Sequence, residues 1–410
     1  MRTGRLAAPP TRDRRARVAV AALFLTNGAL FANLLPRYPE IKAYLGLSNA
    51  AYGVAVAAFS AGALLTGPLA ASLIRRFRSA RVAVLGSAGI AVFAWLAGVA
   101  PSAVAFAGAL FVAGGADAVT DVAQNAHGLR VQRRYARSII NSFHAVWSAG
   151  AILGGAMGAA AIALHLPRGT HLGVSAVVFS AVCLVAYRYL LSGPDEAAEA
   201  VRRAPTAGKG APMATWAALA ALVTIAIAAA TVEDAGSSWA TLYMRELGAP
   251  GAIAVSGYIA AVGSQLIGRL LGDRFVDRFG QRAVARTGGV VAAVGMGAAL
   301  AFPSMPAVMG GFAAAGFGVA TLIPAAMQGA DELPGLKPGT GLTAVTWLMR
   351  VGFVFAPMLV GAIADAVSLR AGLLTVPVAG IVVVALAGML PEARMHGNPV
   401  KLPKDSGHQT

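Results

Sequence analysis

Twelve runs of about 20 apolar residues dominate this 410-residue chain, and a run of that length is what a helix needs to cross a hydrocarbon layer of about 30 Å. Inside lipid no water is available for backbone N–H and C=O groups, so each run is expected to close its hydrogen bonds internally as a helix. The runs lie at 18–37, 49–74, 81–100, 101–127, 138–164, 171–191, 213–242, 251–271, 283–302, 304–328, 340–365 and 370–390, with prolines such as Pro36, Pro101, Pro167, Pro250, Pro303 and Pro334 between them. Only 12% of residues are charged, against about 25% in a soluble domain. The expected class is an all-α membrane protein with twelve transmembrane helices.

The net charge of +16 raises the question of nucleic acid. The charges lie in short segments between spans, which is the positive-inside pattern and not a groove for phosphates. Of 33 Lys and Arg residues, 27 fall in segments that would share one side; only Arg37, Lys42, Arg168, Arg245 and Arg370 fall opposite, and Arg350 lies within a span. Both termini are therefore expected in the cytoplasm. Arg2, Arg5 and Arg12 precede the first apolar run as in a signal peptide. That run has no small-residue cleavage site and many spans follow, so it reads as a topology anchor. The single cysteine, Cys183, allows no disulfide framework.

The chain divides into a basic tail (1–17), a six-span bundle (18–191), a polar linker (192–212), a second six-span bundle (213–391) and a polar tail (392–410). The two halves match at a constant offset of 202. Leu45-Gly46 corresponds to Leu247-Gly248, Arg76-Phe77 to Arg278-Phe279, Gly114 and Gly150 to Gly316 and Gly352, and Arg168 to Arg370. One offset held across several loops and spans points to duplication and pseudo-symmetric bundles.

Carboxylates inside these runs carry the functional reading. Asp117 and Asp121 are four residues apart in the fourth span, and Asn125 is four further on. On a helix the three fall within an arc of about 80°. A carboxylate at mid-membrane costs about 2.5–3.5 kcal/mol even on a lenient scale, so this face must look into a protein-lined cavity. A carboxyl out of water favours its neutral form, and a second carboxylate beside it strengthens that preference. A pair so placed suits proton binding from one side and release to the other. The alternative is a structural ion pair, with Arg350 as partner. Glu233 and Asp234 point about 100° apart on the seventh span, so one of them faces the cavity, and Glu233 is favoured.

Asn141, His144 and Ser148 share a face of the fifth span. The residues 202 later, Thr343, Thr346 and Arg350, share a face of the eleventh. Trp147 and Trp347 flank these faces, either to stack on a ring-shaped substrate or to pack against core or lipid. Asn27 and Asn33 are the polar groups of the first span. His144 is either a proton relay or a hydrogen-bonded buried side chain. Arg350 either neutralises the fourth-span carboxylates or holds an anionic substrate. No nucleotide-binding loop, metal-ligand cluster or nucleophile–base pair is present, so neither an enzyme nor a cofactor is expected.

The loop Arg269-Leu-Leu-Gly-Asp273-Arg274-Phe-Val-Asp277-Arg278-Phe-Gly280 resembles the signature loop of the major facilitator superfamily, and twelve spans in a 6+6 repeat fit it. The resemblance implies a gate latch on the cytoplasmic side built from Asp273, Arg274, Arg278 and Arg76. The first-half copy has Ala71 where the family has its Asp. Within the superfamily the chain looks similar to the fucose-permease-like branch, through Asp121-x-x-x-Asn125, Asn141-Ser-Phe-His144-Ala-Val-Trp147 and Glu233-Asp234-x-x-x-x-Trp239. That branch implies proton coupling at Asp121; its first-span carboxylate has no counterpart here. The pattern Gly150-x3-Gly154-Gly155-x2-Gly158 resembles the fifth-span motif of drug–proton antiporters with Gly155 in place of proline, and it otherwise reads as close helix packing.

The expectation is a monomeric, multi-pass secondary transporter of a bacterial cytoplasmic membrane. It moves a small polar, sugar-like solute by proton-coupled symport, with Asp121, Asp117 and Glu233 binding the proton. Asn125, Asn27, Asn33, Asn141, His144, Trp147, Thr346, Trp347 and Arg350 line its substrate cavity. A proton-driven exporter and a non-transporting membrane sensor are the alternatives.

Overall fold

A computed structural model describes residues 10–135, 139–193, 212–336 and 340–390. It contains twelve helices long and apolar enough to cross a membrane: α1 Thr11–Tyr44, α2 Asn49–Phe77, α3 Ser79–Gly98, α4 Ala103–Tyr135, α5 Ser142–Ala163, α6 Arg168–Tyr187, α7 Met213–Glu246, α8 Gly251–Gly272, α9 Gln281–Ala301, α10 Met305–Asp331, α11 Thr340–Ala366 and α12 Leu369–Met389. The first six form one bundle and the last six a second. Most of the proposed linker, the first nine residues and the segment after Leu390 lie outside the described residues.

The offset of 202 holds at the helix ends. Added to Thr11 and Tyr44 it gives Met213 and Glu246; added to Asn49 it gives Gly251. It also holds in the packing. A Cβ on Gly114 would meet the Phe59 carbonyl oxygen at 1.8 Å, and one on Gly316 would meet the Ala261 carbonyl oxygen at 2.1 Å. Gly150 and Gly352 stand in the same way against Leu25 and Ile227. In each half a glycine lets backbones touch where no side chain fits, which is how helices associate without a hydrophobic drive from water.

The repeat also reaches backbone conformation. Gly280 adopts φ 80°, ψ 155° between α8 and α9, and Arg78 adopts φ 73°, ψ 148° at the matching turn between α2 and α3. That region is almost reserved for glycine and costs another residue about 1–3 kcal/mol.

Both boundaries of the first span differ from the sequence reading. The first helix begins at Thr11, seven residues early, because its charged first turns are held outside the apolar run: Arg134 pairs with Asp13 at 3.2 Å and Arg12 donates to Ser192 at 2.9 Å. It also does not stop at Pro36. A 3₁₀ turn over Leu35–Arg37 carries it into Tyr38–Tyr44, with each proline near the start of its segment, where no N–H is needed. Arg37 is therefore buried at 3% exposure rather than in a loop. It donates to the Leu166 carbonyl and pairs with Glu40.

The ends of the molecule differ. At the end away from the termini, here the far end, the bundles are locked together. Asp365 at the end of α11 accepts from the backbone N–H groups of Asn49 and Ala50 at 2.8 and 2.7 Å, capping α2 of the other bundle. The Tyr52 hydroxyl donates to the Ser238 carbonyl at 2.7 Å, and the Tyr258 hydroxyl to that of Ala151 at 3.3 Å. Toward the terminal end, both bundles carry exposed side chains. His144 is exposed on α5, and Leu342 and Trp347 are 39% and 49% exposed on α11.

Candidate functional site

Between the bundles lies a cavity of about 220 Å³. The first bundle contributes Asn27, Asp117 and Trp147, and the second Glu233, Gln265 and Arg269. Phe31 and Phe59, stacked at 4.1 Å, wall one side.

Asn27 organises the first-bundle wall. Its Oδ1 accepts from Trp147 Nε1 at 2.7 Å, and its Nδ2 donates to Asp117 Oδ1 at 2.9 Å. An indole donates only and a carboxylate oxygen here accepts, so the amide orientation is set by its partners. Three helices, α1, α4 and α5, are thereby tied at one carboxylate. Gly28 lets the backbones of α1 and α5 approach, since a Cβ there would meet the Trp147 carbonyl at 2.2 Å.

One turn nearer the terminal end a second chain forms. Asn125 Nδ2 donates to Asp121 Oδ1 at 3.0 Å, and His144 Nε2 lies 3.1 Å from Asn125 Oδ1. Because that oxygen can only accept, His144 carries its proton on Nε2. Arg350 acts on both Asp117 and Asp121 electrostatically. No described ion pair within 4.0 Å joins it to either.

The second-bundle wall carries its own ion pair. Glu233 Oε1 accepts from Gln265 Nε2 and lies 3.3 Å from Arg269 Nη2. Gln265 and Arg269, four residues apart on α8, escaped the sequence reading because Arg269 stands where the signature loop begins. The i, i+4 spacing of two polar groups at the edge of an apolar run was the available signal.

Asp234 turns the other way, into the far-end contact. Ser238 donates to its Oδ1 at 2.8 Å. Its Oδ2 is buried with no described hydrogen-bond partner, as are Trp239 Nε1 and Tyr38 Oη. Tyr52 meets Trp239 edge-on at 5.0 Å and Tyr38 at 5.8 Å. Directly after Asp234, α7 opens into a π-turn over Ala235–Trp239, a device that recurs at functional sites.

Several expected positions sit elsewhere. Asn33 is not at the cavity. It accepts from His171 Nε2 at 2.9 Å and Ser175 Oγ at 3.2 Å, bracing α1 on α6, because its turn of α1 faces the bundle interior. Thr346 donates to Leu342 of its own helix. Trp347 is half exposed, outside the residues that line the cavity, with no described hydrogen bond. Arg76, Arg274 and Arg278 are exposed at the terminal end, and no described ion pair involves them. The side chains of Asn141 and Asp273 lie outside the described residues. The glycines of α5 pack against α1, as Gly154 does on Ala29 and Gly158 on Pro36, while Gly155 faces Tyr258 of the other bundle. Among the described residues no cluster of three His, Cys, Asp or Glu side chains could hold a metal.

A family model described as Major Facilitator Superfamily matches residues 20–275 and 253–409. The chain belongs to the major facilitator superfamily. Within the superfamily it is 28% identical over 374 residues to "Uncharacterized transporter y4wD" of Sinorhizobium fredii, covering 91% of this chain and 97% of that one. It is also 28% identical over 390 residues to "Membrane protein MosC" of Rhizobium meliloti, covering 93% and 91%. Among solved structures it superposes on the nucleoside transporter NupG with a TM-score of 0.70 and, for a point variant of that protein, 0.73. Those matches cover 93% and 91% of this chain and 99% of the other, at 12% and 11% identity, and so show a shared superfamily fold. Its family and fold neighbours are transporters, not enzymes.

Proposed function

We propose that this superfamily member is a proton-coupled symporter of a small polar, ring-containing solute, working as a monomer in a bacterial cytoplasmic membrane with both termini inside. The observation that carries the reading is Asp117, held by Asn27 on the wall of a cavity between two bundles whose described cross-bundle hydrogen bonds lie toward the far end. In the conformation described, solute enters from the terminal end. Asn27 and Gln265 offer hydrogen bonds to hydroxyl or amide groups, and the phenylalanine wall offers a face for a ring. Asp117 and Asp121 exchange protons with whichever side the cleft faces, and Asn125 with His144 leads from Asp121 toward the open end. The nucleoside transporter NupG, with the same fold, acts on a solute of this kind, which supports a sugar-like or nucleoside-like substrate.

The test is transport in proteoliposomes with an imposed pH gradient, over sugars and nucleosides. Asp117→Asn and Asp121→Asn are expected to lose gradient-driven accumulation and keep solute counterflow. Accumulation equal to wild type in both would refute coupling through α4.

A further inference from the structure

We infer that a second site, at the terminal end of the first bundle, binds the phosphate of an anionic phospholipid headgroup. A cleft of about 430 Å³ opens where α2, α4 and α6 end and α3 begins, and Arg78, Arg81, Arg130 and Arg188 line it. No carboxylate is among its described lining residues. Arg81 Nε reaches the Tyr187 hydroxyl at 3.3 Å, and both residues line the cleft. Arg130 grips the chain leaving α6, donating to the carbonyls of Ser192 and Gly193. It forms the floor, and Arg78 and Arg188 stand exposed at the rim.

A topology anchor needs only positive charge on the right side, and this cluster has more structure than that. The second bundle supplies an internal control. At the offset of 202 its residues are Gly280, Ala283, Glu332 and Leu390, so the four arginines of the cleft are not repeated at the matching positions; a different arginine, Arg282, donates to the Leu390 carbonyl there at 2.7 Å. At the first of these positions the duplicated turn wants glycine, and Gly280 provides it. The first bundle instead keeps an arginine in the glycine region, and that arginine lines the cleft.

The level of the cleft selects a lipid over a free anion. It lies where the apolar spans stop, beside Tyr187 and Tyr189, which are 40% and 46% exposed. Exposed tyrosines at span ends mark the headgroup layer. Arginine forks match phosphate oxygens in pairs, which favours phosphate-bearing headgroups.

The experiment is thermal unfolding of the purified full-length protein in mixed micelles, titrated with phosphatidylglycerol, with phosphatidylcholine or with inorganic phosphate. Phosphatidylglycerol is expected to raise the midpoint and the other two to leave it near its starting value. Arg188→Gln and Arg78→Gly should each weaken the apparent lipid affinity about fivefold, the effect of one guanidinium at an anionic surface. Arg78→Gly carries its own folding control: without lipid it should unfold no lower than wild type, because glycine suits that turn. An undiminished lipid response in both variants overturns the site. An equal response to inorganic phosphate overturns the lipid as its ligand. A variant with Asp195→Asn, Glu196→Gln and Glu199→Gln should bind the lipid as wild type does; a gain of about tenfold would mean that carboxylates of the following segment fill the cleft instead.

Discussion

The two bundles agree at the ends of their helices and share little of their polar chemistry. Where the first has Asn27, Asp117, Asp121 and Asn125, the second has Ala229, Val319, Ile323 and Met327. Where the second has Glu233, Gln265 and Arg269, the first has Phe31, Ala63 and Gly67. The glycines that let backbones meet are kept in both, at Gly114 and Gly316 and at Gly150 and Gly352. Packing depends on shape, and both halves need the same shape. A solute crossing between them meets two different walls, so polar groups are free to specialise. One wall carries hydrogen-bonded carboxylates and the other an ion pair.

That contrast can be broken most sharply at Asp117. Asp117→Ala removes a hydrogen bond to a charged group, worth about 1.5–3 kcal/mol, so transport should fall about ten- to a hundredfold while folding is kept. Val319→Ala, at the matching position of the second bundle, should leave solute uptake close to wild type; an equal loss in both would mean the walls are not specialised. Shared packing is tested by Gly114→Ala and Gly316→Ala. Each should lower stability by about 1–3 kcal/mol, read as similar drops in unfolding midpoint, and a large difference between them would deny equivalent roles.

The far-end cap belongs to one half only, since Asp365 corresponds to Ala163. Asp365→Ala should weaken closure there by about 0.5–2 kcal/mol, seen as a longer spin-label distance between the starts of α2 and the ends of α11. The smallest effect is expected for Trp347→Phe. That side chain is half exposed without a described partner, so solute affinity should move by no more than about 0.5 kcal/mol, whereas Trp147→Phe takes a donor from Asn27.

The span count, the duplication and its offset were legible in the sequence because lipid imposes them run by run: a helix must be long, apolar and internally bonded. The fourth-span carboxylates were legible for the same reason, as charges that hydrocarbon rejects. Asn33 was misplaced because periodicity gives a residue's face and not what stands opposite; its partners, His171 and Ser175, come from α6, 138 and 142 positions away. The span-1 boundary failed because proline reads as a stop, whereas at the start of a new turn it is tolerated. Asp365 went unseen since a cap supplied by another bundle leaves no local pattern.

The wide turn in α7 carries a surplus residue beside two adjacent acids. Passing that surplus back past them would swivel the pair by about 100°, withdrawing Glu233 from the passage and presenting Asp234 in its place. In the register described, one helix turns neighbouring acids to two surroundings, Glu233 to the passage and Asp234 to the Ser238 hydroxyl.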